Sequence, residues 1–118
     1  MTGRTSATAG NVSFMRLVDD VTDSVLTQSE FAAAVGASER TVQNWTAGHT
    51  KPRGEAATRA LDFVYLVQEL RDVYTDEGIQ IWLKSRNRNL EGRRPIELIS
   101  EGHIDEVLAE VRRVLGGM

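Results

Sequence analysis

Cysteine is absent from this chain of 118 residues. Its absence excludes disulfide bonds, thiol catalysis and thiolate metal sites, and it suits the reducing environment of the cytoplasm. Aromatic residues are scarce at 6%, so the core has to be built mainly from Leu, Val, Ile and Ala. No apolar run reaches the length of a signal-peptide core or a membrane span. The sequence therefore predicts a cytoplasmic protein without membrane contact.

Positive charge is also in short supply, because 14 Lys and Arg residues face 17 Asp and Glu residues, a net charge of −3. Bulk charge therefore does not indicate nucleic-acid binding. The distribution is more informative, since residues 84–94 carry five basic side chains against Glu91 alone, a net of +4. Residues 27–53 have a net of +1, and the stretches 54–83 and 95–118 are acidic. The basic charge thus lies in two places.

Apolar residues recur at three- and four-residue steps along most of the chain, which is typical of amphipathic helices. No window alternates with the period of a strand, so the sequence predicts an all-α fold. Thr27 with Glu30 has the pattern of a capping box, Ser38 has that of a second N-cap, and Gly36 and Gly48 suit helix ends. The expected helices are, in order, about 12–26, 28–35, 39–47, 55–74, 76–84, 95–102 and 104–115.

The expected organisation has four parts. Residues 1–10 are small and polar and are predicted to be a disordered tail. Residues 11–54 form a Cro/repressor-like helix-turn-helix domain, 55–75 a long connecting helix, and 76–118 a small helical domain packed on that helix. Phe63, Tyr65 and Leu66 widen the apolar surface of the long helix, so it is expected to be enclosed on more than one side. Trp82 is expected to point inward, and the acids from Glu97 to Glu110 to face outward.

Residues 28–47 carry the spacing of a helix-turn-helix. Gln28, Ala32, Gly36, Val42 and Trp45 stand at positions 1, 5, 9, 15 and 18 of this twenty-residue unit. The fifth position must be small because the second helix crosses close to it, and the ninth needs a turn conformation that suits glycine. The spacing resembles the helix-turn-helix of phage repressors and Cro. DNA binding is therefore the expected role of this segment.

The outward face of the second helix would read DNA if Val42 and Trp45 point inward. Gln43 and Asn44 can each form two hydrogen bonds with adenine, and Arg40 can read guanine or hold a phosphate. Lys51 and Arg53 would contact the backbone, and the free amides at Gln28 could receive a phosphate. The candidate DNA-binding residues are Gln28, Ser38, Glu39, Arg40, Thr41, Gln43, Asn44, Lys51 and Arg53.

Two features weaken a single copy of this segment as a DNA binder. Glu39, at the front of the second helix, repels phosphate, and the net charge of the segment is small. Such modules usually act as dimers on half-sites one helical turn apart, so a homodimer on operator DNA is expected. A helical corner with polar surface residues and no DNA contact is the alternative interpretation.

The second half of the chain has its own pattern. It combines Trp-Leu, Asn, Leu-x-Gly-x-x-Pro, Leu and Gly, in residues Trp82, Leu83, Asn87, Leu90, Gly92, Pro95, Leu98 and Gly102, followed by Val107. This combination resembles the C-terminal domain of the Xre/MbcA/ParS antitoxins, which also place a helix-turn-helix upstream. The resemblance implies a small dimeric antitoxin that covers the active site of an NAD-degrading toxin with a RES-type fold. It also implies that the upstream domain represses the operon.

The basic stretch at 84–94 takes its expected role from that resemblance. Its arginines could occupy or rim a toxin cleft suited to an anionic pyrophosphate, or pair with acids around it, and the flexible chain end could insert further. The candidate toxin-binding residues are Arg86, Asn87, Arg88, Arg93, Arg94, Gly116, Gly117 and Met118. The arginines could equally form a solvated loop, offset the acidic helices or touch DNA phosphate, because the sign of a charged patch does not identify its partner. Asn87 could instead only shape the loop.

An enzyme is not expected. His49 and His103 are not spaced as metal ligands on one helical turn, and no nucleophile-elbow, P-loop or dinucleotide pattern is present. Catalytic residues, metals and cofactors are therefore not predicted. Two alternatives to the antitoxin hypothesis remain at this point. One is a free-standing repressor whose C-terminal half serves dimerisation, and the other is an inhibitor whose helix-turn-helix has lost DNA binding.

Overall fold

The computed structural model describes residues 14–116, and its regular structure in that range is helical. Helix α1 covers residues 14–24 of the described chain. It is followed by α2 (Gln28–Val35), α3 (Glu39–Ala47), α4 (Gly54–Leu70), α5 (Asp76–Lys84), a 3₁₀ turn (Arg88–Leu90), α6 (Pro95–Ser100) and α7 (Ile104–Gly116). The predicted all-α fold is confirmed. The predicted tail 1–10, the start of the first helix at Val12, and Gly117 and Met118 lie outside the described residues.

The helix ends follow the capping residues of the sequence. The Thr27 hydroxyl accepts a hydrogen bond from the Glu30 amide, and the Glu30 carboxylate accepts one from the Thr27 amide at 2.9 Å, which completes the capping box. Ser38 caps α3 and Thr75 caps α5 through their hydroxyl oxygens. Gly36 ends α2 in the left-handed conformation, with φ +76°. These local signals fix the first half of the chain.

Helix α4 ends four residues earlier than the sequence pattern predicts. It stops at Leu70, and the chain continues to Tyr74 in turns. The side chain of Arg71 is held by Asp76 at 2.8 Å and by Asp20 of α1 at 2.6 Å, which anchors the chain where it leaves the helix. Tyr74, which a helix over the predicted range 55–74 would place in line with the buried residues Val67 and Leu70, is consequently exposed, so the prediction was wrong at this end of the helix.

A single apolar core runs through both halves of the described chain. Helix α2 packs on α3 and on α6, and α4 packs on α2 and on α7. Phe31 of α2 stacks on Phe63 of α4, with 5.5 Å between ring centroids. An ion pair of 2.6 Å between Glu30 of α2 and Lys84 of α5 joins the halves at the surface. The helix-turn-helix and the C-terminal helices are therefore parts of one folded body.

One side of α4 departs from the predicted burial. Phe63 and Leu66 are fully buried as expected, but Tyr65 is 51% exposed. Trp82, expected in the core, is half-buried against it. Between residues 14 and 116 no helix has both the length and the hydropathy to cross a membrane.

Candidate functional site

The turn between α2 and α3 has the geometry that its sequence requires. Ala32 is buried where the two helices meet, and its carbonyl oxygen accepts hydrogen bonds from the amides of Gly36 and Ala37. A Cβ atom at Gly36 would stand 3.0 Å from the Arg59 guanidinium, besides the strain of its positive φ. Both residues are thus small for structural reasons, as the spacing indicated.

The orientation of α3 is fixed by two buried side chains. Val42 is fully buried, and Trp45 packs edge-on against Phe14 of α1, with 5.4 Å between centroids and an interplanar angle of 87°. Such edge-to-face contacts favour one orientation of the ring, which sets the rotation of the helix about its axis. The opposite face of α3 is thereby turned to solvent.

The predicted DNA-binding residues of the helix-turn-helix form two groups, those on the outer face of α3 and those engaged in hydrogen bonds within the motif. Glu39, Arg40 and Gln43 are exposed on α3, whereas Asn44 is half-buried. Ser38 and Thr41 are engaged with each other, because the Ser38 hydroxyl accepts from the Thr41 amide at 3.0 Å and lies 2.9 Å from its hydroxyl.

Gln28 is also engaged within the motif. Its side-chain amide donates to the Thr46 hydroxyl at 3.4 Å and so links the start of α2 to the end of α3. This contact lets Gln28 set the geometry between the two helices, in addition to any contact with a phosphate.

A basic hollow of about 640 Å³ lies beside α3 and the loop that follows it. Thr41, His49, Thr50, Lys51 and Arg53 line this hollow, and Lys51 and Arg53 are exposed. The sequence pattern singled out Lys51 and Arg53, whereas His49 and Thr50 were not among the predicted DNA-binding residues. Their place in the loop directly after α3 was the available signal.

The stretch at 85–94, named the arginine loop below, holds two of its arginines internally. The Arg94 guanidinium donates to the Lys84 carbonyl oxygen at 3.0 Å and to Glu97 at 3.3 Å. Arg93 pairs with Glu101 at 2.5 Å. These two arginines therefore offset neighbouring acids, which is one of the alternatives that the sequence left open.

The other two arginines of the loop present their charge to solvent. Arg86 is exposed and makes one long hydrogen bond, 3.4 Å, to the Gly92 carbonyl oxygen. Arg88 is exposed on the 3₁₀ turn, and no carboxylate within residues 14–116 forms an ion pair with it. Arg86 and Arg88 are thus the arginines of this loop best placed to meet a partner.

Asn87 organises the loop through four hydrogen bonds, one of which its carbonyl oxygen accepts from the Leu90 amide at 3.0 Å. Its side-chain oxygen accepts from the Asn89 amide at 2.9 Å, its amide donates to the Arg93 carbonyl at 3.1 Å, and its carbonyl accepts from Gly92 at 2.9 Å. The bonds with Arg93 and Gly92 close the base of the loop, and the bond with Asn89 starts the 3₁₀ turn at its tip. Asn87 therefore has a shaping role, whatever contact its exposed atoms make.

Glu110 of α7 is buried beneath the tip of the arginine loop, with 6% of its surface exposed. Its carboxylate accepts two hydrogen bonds of 2.9 Å from Arg113 and one of 3.0 Å from the Asn89 side chain. The hydrogen bond from Arg113, aided by that from Asn89, lowers the pKa of Glu110 against the opposing effect of burial. The prediction that this acid faces outward was wrong, since Asn89 reaches it from a turn twenty-one residues away in sequence.

A partly apolar surface surrounds Tyr65 on α4, and it is named the tyrosine face below. On one side of Tyr65 lies a hollow of about 450 Å³ with the acids Asp62, Glu69 and Asp72, and with Arg112, which pairs with Glu69 at 3.9 Å. On the other side lies a hollow of about 440 Å³ whose lining is mostly apolar and includes Arg53. The residues of this second hollow are Phe14, Leu17, Pro52, Arg53, Gly54, Ala57, Thr58, Leu61 and Tyr65.

Known proteins match both the C-terminal half and nearly the whole chain. Residues 66–118 match the family described as the antitoxin Xre/MbcA/ParS C-terminal toxin-binding domain, and the match begins within α4. The mycobacterial cidal antitoxin MbcA of Mycobacterium tuberculosis and Mycobacterium bovis is 33% identical over 93 residues, which are 79% of this chain and 82% of MbcA. A probable mycobacterial cidal antitoxin of Mycobacterium tuberculosis is 31% identical over 101 residues, 86% of each protein.

A solved structure extends the likeness to three dimensions. The crystal structure of the Mycobacterium tuberculosis MbcT–MbcA toxin–antitoxin complex contains a chain that is 30% identical to this one. The two superpose with a TM-score of 0.76 over 88% of this chain and 95% of that chain. The helical architecture described above is therefore shared with a component of a toxin–antitoxin complex.

Proposed function

Because this chain belongs to the family of Xre/MbcA/ParS antitoxins, we propose that it blocks a RES-type, NAD-degrading toxin and represses its own operon through α2 and α3. It acts by binding in the cytoplasm and carries out no catalysis of its own. The observation that carries the toxin-binding part is the presence of Arg86 and Arg88, exposed on an ordered loop, within the matched residues 66–118.

The charge of the arginine loop limits where it binds on the toxin. A cleft that holds the pyrophosphate of NAD presents positive charge, which repels guanidinium groups. Arg86 and Arg88 are therefore expected on acidic residues at the rim of the cleft, where a guanidinium pairs with a carboxylate through two parallel hydrogen bonds. Gly116 and the two residues after it remain candidates for a further contact.

The toxin-binding test uses charge reversal at two separate surfaces. The chain is co-purified with the toxin encoded by the neighbouring gene, and NAD consumption is measured in the complex. We expect Arg86→Glu with Arg88→Glu to release the toxin and restore NAD loss, and the matched control Arg40→Glu, on α3, to leave inhibition unchanged. Inhibition that survives the double reversal would exclude the arginine loop as the contact. A chain that forms no complex with the toxin would instead support a free-standing repressor.

The exposed face of α3 and the basic hollow support the operator-binding part. Arg40 and Gln43 are directed to solvent, and Lys51 and Arg53 lie at the hollow beside them. Gel shifts on the upstream promoter at several salt concentrations test this role, because each neutralised phosphate steepens the fall of affinity with salt. In these gel shifts, Arg40→Glu should abolish binding to the promoter, whereas Arg86→Glu with Arg88→Glu should not. No gel shift by the wild-type chain would leave a pure inhibitor, and a shift that Arg40→Glu does not change would exclude this face of α3.

The tyrosine face supports the homodimer that a weak single DNA-binding unit requires. If the α4 helices of two copies pack antiparallel about Tyr65, the acidic hollow of each copy faces the apolar hollow of the other, which carries Arg53. That arrangement covers the exposed tyrosine and brings opposite charges together on both sides of it. The second copy of this chain is therefore the proposed occupant of the surface.

A further inference from the structure

We infer that Glu110 is a positioning residue for toxin recognition, because it holds the tip of the arginine loop through Asn89 and so positions the backbone that carries Arg88. The inference rests on the proposed toxin-blocking function and extends it to a residue on a different element. Glu110 lies on α7, and its link to the loop is the 3.0 Å hydrogen bond that the Asn89 side chain donates to it.

The base and the tip of the loop are held by different contacts. At the base, Arg94 donates to the Lys84 carbonyl and Asn87 bridges to Arg93. Asn87 also contacts the 3₁₀ turn that carries Arg88, since its side-chain oxygen accepts from the Asn89 amide and its carbonyl oxygen from the Leu90 amide. That turn is held on α7 by the buried side chain of Leu90 and by the bond between Asn89 and Glu110. Leu90 supplies apolar contact, which is not directional, so the bond between Asn89 and Glu110 is the directional contact that sets the turn against α7.

The choice of a carboxylate at position 110 is explained by this directional role. Burying a charged group is costly, and an apolar residue of similar size would pack in its place without that cost. The bidentate pair with Arg113 fixes the plane of the carboxylate, with both bonds at 2.9 Å. One carboxylate oxygen is thereby aimed at Asn89, which an apolar residue could not achieve. Compared with an apolar residue at position 110, the carboxylate makes the fold less stable but gives the tip of the loop a defined position.

A loop ordered before binding does not lose its conformational freedom when the complex forms. Loosening the tip should therefore weaken toxin binding while leaving the fold intact. Asn89 is the place to loosen it, because its side chain is on the exposed turn and its backbone bond to Asn87 does not depend on the side chain. Asn89→Ala removes the link to Glu110 and nothing from the core.

The experiment measures the affinity of the full-length chain for the toxin alongside its unfolding. We expect Asn89→Ala and Glu110→Leu each to weaken toxin binding by about tenfold, because a tip that is no longer held on α7 must be ordered when the complex forms. The thermal midpoint of Asn89→Ala should fall by a few degrees at most, because the variant loses one hydrogen bond and no core contact. Its amides at Glu91 and Gly92 should exchange faster with solvent, because the turn is no longer held.

A double variant separates positioning from a merely structural effect. If Asn89 acts through Arg88, then Asn89→Ala should have no further effect on affinity once Arg88→Ala is present. An equal loss in both backgrounds, or unchanged affinity in Asn89→Ala, would overturn the inference while leaving the toxin-blocking function standing. A wild-type chain that does not bind the toxin, or an Arg88→Ala variant with full affinity, would count against the proposed use of the loop itself, and the inference would fall with it.

Discussion

The ion pair between Glu30 and Lys84 is predicted to couple the stability of the two halves of the molecule. Its atoms are 2.6 Å apart, and it joins the N-terminal turn of α2 to the C-terminal end of α5. The other carboxylate oxygen of Glu30 accepts a hydrogen bond from the Thr27 amide. Glu30→Gln removes the charge and keeps an oxygen for the capping bond, whereas Glu30→Ala removes both.

The expected magnitudes follow from the exposure of the two side chains, 34% for Glu30 and 38% for Lys84. An ion pair that is about one-third exposed is worth about 0.2–1 kcal/mol, and salt screens it. The capping bond adds about 1 kcal/mol. The free energy of unfolding should therefore fall by about 0.5 kcal/mol in Glu30→Gln and by about 1.5 kcal/mol in Glu30→Ala.

The contribution of Glu30 to the free energy of unfolding depends on pH with a definite sign. The hydrogen bond from Lys84, with that from the Thr27 amide, lowers the pKa of Glu30 from its ordinary value of 4.5. A carboxylate with a depressed pKa in the folded state stabilises the protein above the ordinary pKa, and that contribution is lost as pH falls through the folded pKa. The wild type and Glu30→Gln should consequently differ at pH 7 and converge as the pH falls below the folded pKa of Glu30.

The assay is urea unfolding at one protein concentration, followed by tryptophan fluorescence and by circular dichroism. Trp45 reports on the helix-turn-helix and Trp82 on the C-terminal half. A double-mutant cycle of Glu30→Gln with Lys84→Met should give a coupling energy of about 0.2–1 kcal/mol at low salt and close to zero at about 1 M salt. Purely additive losses at low salt would refute the pair as a link between the halves.

Three further predictions follow from the other surfaces. Gln43→Ala and Asn44→Ala should each weaken binding to the operator by about 1–3 kcal/mol in gel shifts and leave binding to unrelated DNA unchanged. If neither substitution lowers the specificity, the bases are read by other residues. Tyr65→Arg should convert the dimer to a monomer in light scattering without loss of helicity, and a persistent dimer would rule out the tyrosine face as its interface. Glu110 has a pKa below 4.5, so its stabilising effect is complete above that value and lost on acidification, and Glu110→Gln should flatten the decline of the urea midpoint between about pH 5 and pH 3. An unchanged decline would mean that this carboxylate does not contribute.

The helix-turn-helix could be predicted from the sequence because its determinants are local. The capping box of Thr27 and Glu30 spans three residues, and the turn at Gly36 depends on one positive φ. Val42 and Trp45 lie three apart, so their spacing defined the inward face of α3 before any partner was known. The α-helical fold class followed from the same short-range periodicity.

The features that the sequence did not reveal depend on contacts between distant residues. The end of α4 is set where Arg71 meets Asp20, fifty-one residues away. Glu110 resembles any other acid on an amphipathic helix until Asn89 is placed beside it. The arginine loop was recognisable as basic, but charge alone does not distinguish Arg93, paired with Glu101, from Arg88, which faces solvent.

The single core has a consequence for how the protein is removed from the cell. Because α2 packs on α6 as well as on α3, a protease that unravels one end destroys the packing of the other. We therefore expect degradation to be all-or-none, so that, under the proposed function, release of the toxin and renewed transcription of the operon would begin with the same cleavage event. Limited proteolysis that leaves a stable fragment of residues 11–54 would contradict this. If degradation is all-or-none, the packing of α2 makes the loss of toxin binding and the loss of DNA binding simultaneous. Neither surface then needs a signal of its own.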